Sequence, residues 1–434
     1  MKNVFVVGLE PFNLKLLHRL PDANDYEFHE LLSYEEAVRV RSRDIDLDAL
    51  LDTAQRRLAA FSGTIDGIMG YWDFPTSVIV PVLLRRQGLP GPRLEAVAAC
   101  EHKYWCRTEQ QRVIPDLVPR FCAVDPHAAD PLSSIDLPFP FWIKPVKAHS
   151  SYLGFKIRNA ADFHACLPVI RANIGHFGDP FDTFLAMVEV PETISGVGGH
   201  HCIAEEIISA GRQCTLEGYV CRGEVVVYGV VDSVRSGLHR SCFARYQYPS
   251  RMPRRVQARM TDAAERFLHQ VGYDDAAFNM EFYWNPEDDS IKLLEVNTRI
   301  SKSHSPLFMF VDGASHQKVP IDLVLGRRPE LPHRRGRYRV AAKFMLRVFE
   351  DGIIERLPDS RDMSRLEARF PDALVRLMTR VGTRLAHLHY QDSYSFEIAE
   401  IFLGADSQQE LLAKYREVRE ILPFEIRPER LSAA

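Results

Sequence analysis

Two neighbouring segments of the chain carry acidic and amide side chains at a spacing that suits a metal ion. The first reads Asn279-Met280-Glu281-Phe282, and the second reads Leu294-Glu295-Val296-Asn297-Thr298-Arg299. Side chains two residues apart on a strand share a face, so Glu295 and Asn297 point the same way. A register that sets Glu281 opposite Glu295 places two carboxylates about 5 Å apart. Two carboxylates and an amide oxygen are hard ligands, which suit Mg²⁺ rather than zinc.

The competing interpretation of these acids is a solvent-exposed strand face with ordinary charges. The apolar neighbours Leu293, Leu294, Val296 and Ile300 indicate instead that the second strand is buried. An unpaired carboxylate is costly to bury, which favours the metal site. Arg299 follows Asn297 by two residues, and its planar guanidinium group suits phosphate oxygens.

Strands and helices alternate in the first 95 residues, which predicts a small parallel α/β unit. Predicted strands lie near residues 4–8, 27–32 and 65–70, and a helix near 77–86. The proline- and glycine-rich segment at 88–92 cannot continue that helix and marks a linker.

The rest of the chain is predicted to mix helices with strands. One helix is expected over 94–111, and mostly strands over 141–231 with a single helix near 161–174. A helix near 256–271 precedes the strands 277–284 and 291–297, which carry the acids. The charged, proline-rich run 327–337 predicts another joint, and the last hundred residues are expected to hold short strands and one helix, 407–422.

Composition and charge exclude several classes of protein. A net charge of -4 over 434 residues offers no attraction to nucleic acid or an anionic membrane. None of the eight cysteines forms a CxxC pair, which argues against a structural zinc site and fits free thiols in a reducing compartment. We therefore expect a cytoplasmic protein without nucleic-acid or membrane partners.

With these motifs, the sequence resembles the ATP-grasp superfamily, in which a Glu on one strand and a Glu-x-Asn on the next hold Mg²⁺ under the ATP phosphates. The segment Phe141-Trp142-Ile143-Lys144-Pro145 looks like the strand whose lysine contacts the phosphates. Ser150 and Ser151 fall in the loop that covers them, although this loop is poorer in glycine than is common. Lys103 resembles the lysine near the start of the nucleotide-binding domain.

A second stretch, Cys202-Ile203-Ala204-Glu205-Glu206-Ile207, resembles the family's hinge strand, which binds the adenine edge mainly through backbone groups. The resemblance assigns nucleotide contacts to Glu205, Glu206 and Ile207. Gln213 stands where relatives often place a glutamate that binds the ribose hydroxyls. Glu217 and Asp232 are further polar candidates.

The sequence departs from the ligases of this family after Asn297-x-Arg299. A glycine-rich turn is common there, beside the acid substrate, and this chain has Ile300-Ser301-Lys302-Ser303-His304 instead. Lys302, Ser303 and His304 thus become the candidates for contact with a substrate carboxylate.

The resemblance implies an α/β (α+β) ATP-grasp fold with a Rossmann-like N-terminal domain. The domains expected are 1–93, 94–326 for nucleotide and Mg²⁺ binding, and a C-terminal α+β lobe at 335–434. It also implies ATP and Mg²⁺ as cofactors, with Mn²⁺ as the alternative ion, and Lys144 and Arg299 as catalytic residues. The expected enzyme joins a small acid to an amine through an acyl phosphate and releases ADP and phosphate; relatives suggest a homodimer.

Two other functions stay open on the sequence. One is a biotin-carboxylase-like enzyme that uses bicarbonate, although the chain has no lysine-centred biotinyl motif. The other is a nucleotide-binding regulatory protein without turnover. Neither a GxxxxGK[ST] loop nor a GxGxxG fingerprint is present to suggest a different nucleotide-binding fold.

Overall fold

A computed structural model describes residues 1–38, 45–149, 151–235, 242–388 and 395–428. The chain forms two compact units. The first comprises Met1–Val230, Met252–Lys302 and Gln317–Leu331, and the second comprises Val231–Arg251, Ser303–His316 and Pro332–Ala434. The domain boundaries expected from the sequence stay predictions. Among the described residues, no helix combines the length and apolarity needed to cross a membrane.

The first unit opens with a three-stranded parallel sheet, as the alternating pattern predicted, and the structure gives its strand order as β2-β1-β3. Its central strand is buried, with Val4, Val6 and Val7 fully inaccessible, because helices cover a parallel sheet on its faces. The strands are β1 Lys2–Leu9, β2 Tyr26–Ser33 and β3 Gly67–Met69, and the helices are α1 Pro11–Leu17, α2 Tyr34–Ala37, α3 Leu47–Ala60 and α4 Thr76–Gln87.

The single helix predicted over 94–111 is two helices, α5 Leu94–Glu101 and α6 Lys103–Val113. His102 separates them with extended backbone angles, and its Nδ1 accepts a hydrogen bond from the Trp105 N–H at 3.2 Å. Burial lowers the pKa of His102 to about 4, so the ring is neutral and can act as this N-cap. Because of this break, Lys103 is the first residue of α6.

An antiparallel four-stranded sheet in the order β4-β7-β5-β6 follows. The sheet packs with α7, which was predicted. Helix α8, which follows α7 in the chain, was not predicted. Gly178 and Pro180 weaken the helical signal of α8, but Phe177, Phe181 and Phe184 form a buried stripe at helical spacing. The elements are β4 Phe121–Val124, β5 Phe141–Pro145, β6 Phe155–Ile157, β7 Cys202–Glu206, α7 Ala160–Asn173, α8 Gly175–Leu185 and α9 Glu192–Ser195.

A second antiparallel sheet of the first unit carries the predicted acidic strands. Its order is β12-β11-β8-β9, and the chain passes into the second unit within β9. The elements are β8 Arg212–Cys221, β9 Glu224–Arg235, α10 Arg254–Val271, β11 Ala276–Asn285, β12 Ser290–Asn297 and α12 Lys318–Val324.

In the second unit, the end of β9 pairs with β10, and the order continues through β13 and β16 to β15. The predicted C-terminal helix is confirmed as α14. Helix α13 was not predicted; Asp359 and Asp362 cap its N-terminus reciprocally. The elements are β10 Phe243–Tyr248, α11 Ser305–Asp312, β13 Val340–Val348, β14 Gly352–Arg356, α13 Ser360–Arg369, β15 Leu374–Leu377, β16 Phe396–Ala405, α14 Gln408–Ile421 and β17 Glu425–Pro428, the last paired with β14.

Candidate active site

One face of the β12-β11-β8 sheet is polar over three adjacent strands. Glu281 lies directly opposite Glu295, as the sequence predicted. Because directly opposed residues point to the same side of a sheet, the pairing register groups the polar side chains into rows. One row is Glu217, Asn279 and Asn297, and the next is Thr215, Glu281 and Glu295.

The opposite face of the same strands is apolar. Leu216, Met280 and Val296 are buried there in one core with Met260 and Phe267 of α10. A slip of one residue would send the acids into this core and the apolar side chains to the polar face. Burial under α10 therefore specifies the register that brings the carboxylates together.

A β-bulge at Leu294 interrupts β12 beside Glu295. Glu281 pairs with Glu295, whereas the next residue of β11 pairs with Leu293, so Leu294 has no counterpart. The guanidinium group of Arg107 donates to the carbonyl oxygens of Leu293 and Leu294, each at 2.8 Å. The bulge carbonyls are therefore satisfied by a buried cation, and Arg107 holds the strand segment that presents Glu295.

Glu205 is the common partner of two cations from different elements. Its carboxylate lies 2.6 Å from Nε of Arg107 on α6 and 2.6 Å from Nζ of Lys144 on β5. Burial raises the pKa of Glu205, but the two positive charges outweigh that effect and bring the pKa to about 2. Burial also lowers the pKa of Lys144, against the attraction of Glu205.

Lys103 links this group to the acidic strands. Its Nζ lies 3.3 Å from Oε1 of Glu295 and donates to the carbonyl oxygen of Ala148 at 2.6 Å. Five of the site residues predicted from the sequence line one cavity of the first unit. They are Lys103, Lys144, Glu205, Glu295 and Asn297.

Besides Arg107, three charged groups that line this cavity were not predicted, namely Asp73, Glu101 and Lys147. Lys147 forms an ion pair with Glu101, and Glu101 also accepts a hydrogen bond from Thr298 at 2.6 Å. Asp73 pairs with the guanidinium group of Arg299, with a distance of 3.0 Å from Nε. A local signal existed for Lys147 and Glu101, which lie within three residues of Lys144 and Lys103, but Asp73 lies 226 positions from its partner.

The remaining nucleotide candidates belong to the same unit. Gln213 is buried and donates to Oε2 of Glu281 at 2.8 Å. The Glu206 carboxylate accepts from the Arg120 N–H at 3.0 Å, and Ile207 is exposed just beyond β7. Ser151 is exposed in a turn, and Ser150 lies outside the described residues.

The three substrate candidates are divided between the two units. Lys302, in the first, places its Nζ 4.3 Å from the ring centroid of Trp72. Ser303 and His304 belong to the second unit, where Ser303 accepts a hydrogen bond from Lys343 at 3.2 Å and His304 is buried. Asp232, also in the second unit, accepts from the Arg251 N–H at 2.8 Å.

The donor set of the acidic strands fits Mg²⁺. Asn297 uses its amide N–H to donate to Oδ1 of Asn279 at 2.9 Å, which leaves the amide oxygen as the atom able to bind a cation. Two carboxylates and one amide oxygen match an ion that keeps several water ligands. No group of three or more His, Cys, Asp or Glu residues is placed to hold a metal ion in the described parts of the chain.

If Lys144 contacts phosphate oxygens, Lys144→Ala weakens ATP binding by roughly 10- to 100-fold, the loss expected for one hydrogen bond to a charged group. Isothermal titration calorimetry with a non-hydrolysable ATP analogue measures the affinity. The control is Lys156→Ala, on the neighbouring strand β6 but exposed. Equal affinities for wild type and Lys144→Ala would contradict the phosphate role.

The chain is similar to known proteins both in sequence and in fold. Residues 247–320 match the family model of the carbamoyl-phosphate synthase L chain, ATP binding domain. The C-terminal section of the carbamoyl phosphate synthase large chain of Methanopyrus kandleri is 24% identical over 135 residues, which are 31% of this chain and 24% of that protein. The matched region therefore spans about a quarter of that curated relative.

Two solved structures resemble nearly the whole chain. L-amino acid ligase from Bacillus licheniformis has a TM-score of 0.71 at 16% identity, and the similarity covers 98% of each chain. Biotin carboxylase from Campylobacter jejuni has a TM-score of 0.63 at 13% identity and covers 98% of this chain and 92% of its own. These findings confirm the fold that the resemblance implied: the chain has the ATP-grasp fold, which it shares with this ligase and this carboxylase.

Proposed function

We propose that the protein is an ATP-dependent carboxylate–amine ligase that works through an acyl phosphate. The observation that carries this proposal is the pairing of Glu281 with Glu295, with Asn297 on the same face, beside a cavity lined by Lys103 and Lys144. Such a site suits a nucleoside triphosphate with its metal ion. The likeness to an L-amino acid ligase over 98% of each chain supports an amino acid as the acid.

In this proposal, Lys103 and Lys144 bind the ATP phosphates. Their pairing with Glu295 and Glu205 keeps both amino groups inside the cavity before the nucleotide arrives. Glu281, Glu295 and Asn297 would hold Mg²⁺, which supplies positive charge to offset the charge of the phosphates. Arg299, oriented by Asp73, is the proposed contact of the reacting carboxylate and phosphoryl groups.

The chemistry proposed needs no protein nucleophile. A carboxylate oxygen of the acid attacks the γ-phosphorus of ATP, and the bond to ADP breaks. The amine nitrogen then attacks the acyl carbon, phosphate leaves, and the nitrogen loses a proton to solvent. The protein binds, orients and encloses the reactants, and exclusion of water protects the acyl phosphate from hydrolysis.

A carboxylase is the second candidate because the structure also resembles biotin carboxylase from Campylobacter jejuni, with a TM-score of 0.63. Bicarbonate would then replace the organic acid, and carboxyphosphate would replace the acyl phosphate. The same site residues would serve both reactions, so only the identity of the substrate that is phosphorylated distinguishes the ligase from the carboxylase.

Hydroxylamine distinguishes these functions because it traps acyl phosphates as hydroxamates. The protein is incubated with MgATP, hydroxylamine and pools of small carboxylates and amino acids, and ADP, phosphate and hydroxamates are measured. We expect ADP and hydroxamate in equal amounts with one pool. ADP that depends on bicarbonate and appears without hydroxamate would favour the carboxylase, and bound but unconsumed ATP with every pool would contradict both.

A further inference from the structure

The first unit contains a second, largely apolar cavity of about 60 Å³. Helices α4, α5 and α12 contribute to its lining, together with strands β3 and β11 and the residues that follow β12. Most of the lining is aliphatic, including Met69, Val80, Leu84, Val97, Leu323 and Val324. Cavities of this composition stay dry and accept small apolar groups, as far as their size permits.

The lining of this cavity also includes a few polar residues. They are Thr76, Ser77, Asp275, Thr298 and Arg299. Thr76 is buried, and its hydroxyl oxygen has no hydrogen-bond partner among the described residues. A mostly apolar cavity with a few polar groups is typical of a site for a small molecule.

A single layer of hydrogen bonds separates this cavity from the one that holds Lys103 and Lys144. Glu101 lines the latter and accepts hydrogen bonds from Ser77 at 3.1 Å and Thr298 at 2.6 Å, both of which line the former. Arg299 lines the apolar cavity, and its partner Asp73 lines the other. If the carboxylate of a bound molecule contacts Arg299 at this layer, the apolar cavity lies directly beside that carboxylate.

We propose that the apolar cavity receives the side chain of the acid substrate, which is an acid with a short, unbranched or singly branched aliphatic side chain. This inference rests on the proposed ligase function and adds the substrate class to it. At roughly 15 Å³ for each water-sized group, the cavity holds about four non-hydrogen atoms. Its lining offers no charged partner other than Arg299 and Asp275, so polar side chains are disfavoured.

The test compares side-chain length across two homologous series. Glycine, alanine, 2-aminobutyrate, norvaline and norleucine form one series, and the unsubstituted carboxylates from acetate to hexanoate form the other. ADP formation with MgATP and hydroxylamine gives kcat/KM for each acid. We expect kcat/KM to rise by roughly tenfold for each added methylene until the cavity is filled, and then to fall.

Two variants change the size of the cavity in opposite directions. Val80→Ile adds one methyl group and shifts the preferred acid to a shorter side chain, whereas Leu84→Ala enlarges the cavity and shifts it to a longer one. Val82→Ile is the matched control, because Val82 lies on the same helix but does not line the cavity. If Leu84→Ala fails to fold, Val80→Ile decides alone.

The outcome separates this inference from the ligase proposal. An unchanged length preference in Val80→Ile, or no length preference in wild type, overturns the inference while the ligase activity stands. If wild type consumes no acid, calorimetric affinities of the same acids replace the rates. If the affinities then depend on side-chain length and this dependence shifts in the variants, the inference about the cavity is supported although the ligase proposal fails. If the affinities do not depend on length, both proposals are overturned.

Discussion

Glu295→Gln lowers the rate of ADP formation by about two to three orders of magnitude, the loss seen when one preorganised electrostatic contact to a transition state is removed. The substitution keeps the size of the side chain but removes one of the two carboxylates that face each other across β11 and β12. In the proposed site, the remaining carboxylate and amide would bind Mg²⁺ less tightly. Steady-state rates over a range of Mg²⁺ concentrations measure the effect, and we expect the variant to need more Mg²⁺.

Glu287→Gln is the matched control for this experiment. Glu287 lies exposed in the turn that joins the same two strands. The control is expected to keep the wild-type rate and Mg²⁺ dependence, and circular dichroism should show both variants folded. A Glu295→Gln enzyme with the wild-type rate and Mg²⁺ dependence would contradict the metal assignment.

Glu205→Gln destabilises the protein by about 3 kcal/mol at neutral pH, because removal of one partner leaves buried charges uncompensated. Arg107 and Lys144 both depend on this carboxylate, and the Arg107 and Glu205 side chains are almost fully buried. A Gln side chain can still accept a hydrogen bond but cannot balance two cations. Urea unfolding followed by circular dichroism measures the free energy of unfolding.

The loss in Glu205→Gln depends on pH in a defined direction. The pKa of Glu205 is about 2 in the folded protein, below its ordinary value of 4.5. A carboxyl with a depressed pKa stabilises the fold above the unfolded-state pKa and loses this effect as protons bind. The difference between wild type and variant is therefore full at pH 7 and narrows as the pH falls from 4.5 towards 2.

Glu206→Gln tests whether this effect belongs to the buried carboxylate. Glu206 is the next residue of β7, is substantially exposed and lies 3.9 Å from Nε of Arg120. Exposed ion pairs contribute roughly 1 kcal/mol or less, so a small and nearly pH-independent change is expected. If the two variants lost equal stability, the ion-pair account of Glu205 would be wrong.

The acidic face of the sheet could be predicted from the sequence because its information is local. Alternation along a strand places Glu295 and Asn297 on one face, and a short connection brings Glu281 beside them. The same holds for the parallel order around β1 and for the helix α14, whose periodic patterns are complete within each segment. Helix α8 was missed because its glycine and proline residues obscure a stripe of phenylalanines that only burial reveals.

The partners of the cations at the site could not be read from the sequence, and Arg107 itself was not predicted. Nothing in the spacing of Lys144 and Arg107 indicates that both meet Glu205, which lies 98 positions from Arg107. The bulge at Leu294 was likewise invisible, since it depends on the guanidinium group that satisfies its carbonyls. The predicted substrate residues Ser303 and His304 fall in a different compact unit from Lys302, although they follow it directly.

The sequence by itself therefore determined that two carboxylates and an amide lie together on paired strands, which follows from residue type and strand periodicity acting over a few residues. The phosphate role proposed for the lysines came from the resemblance to the ATP-grasp superfamily. Only the tertiary structure decided how the charges are balanced, with Asp73 on Arg299, Glu205 between Arg107 and Lys144, and Glu101 on Lys147. Buried charges must find partners of opposite sign, and the fold supplies these from segments far apart in the chain.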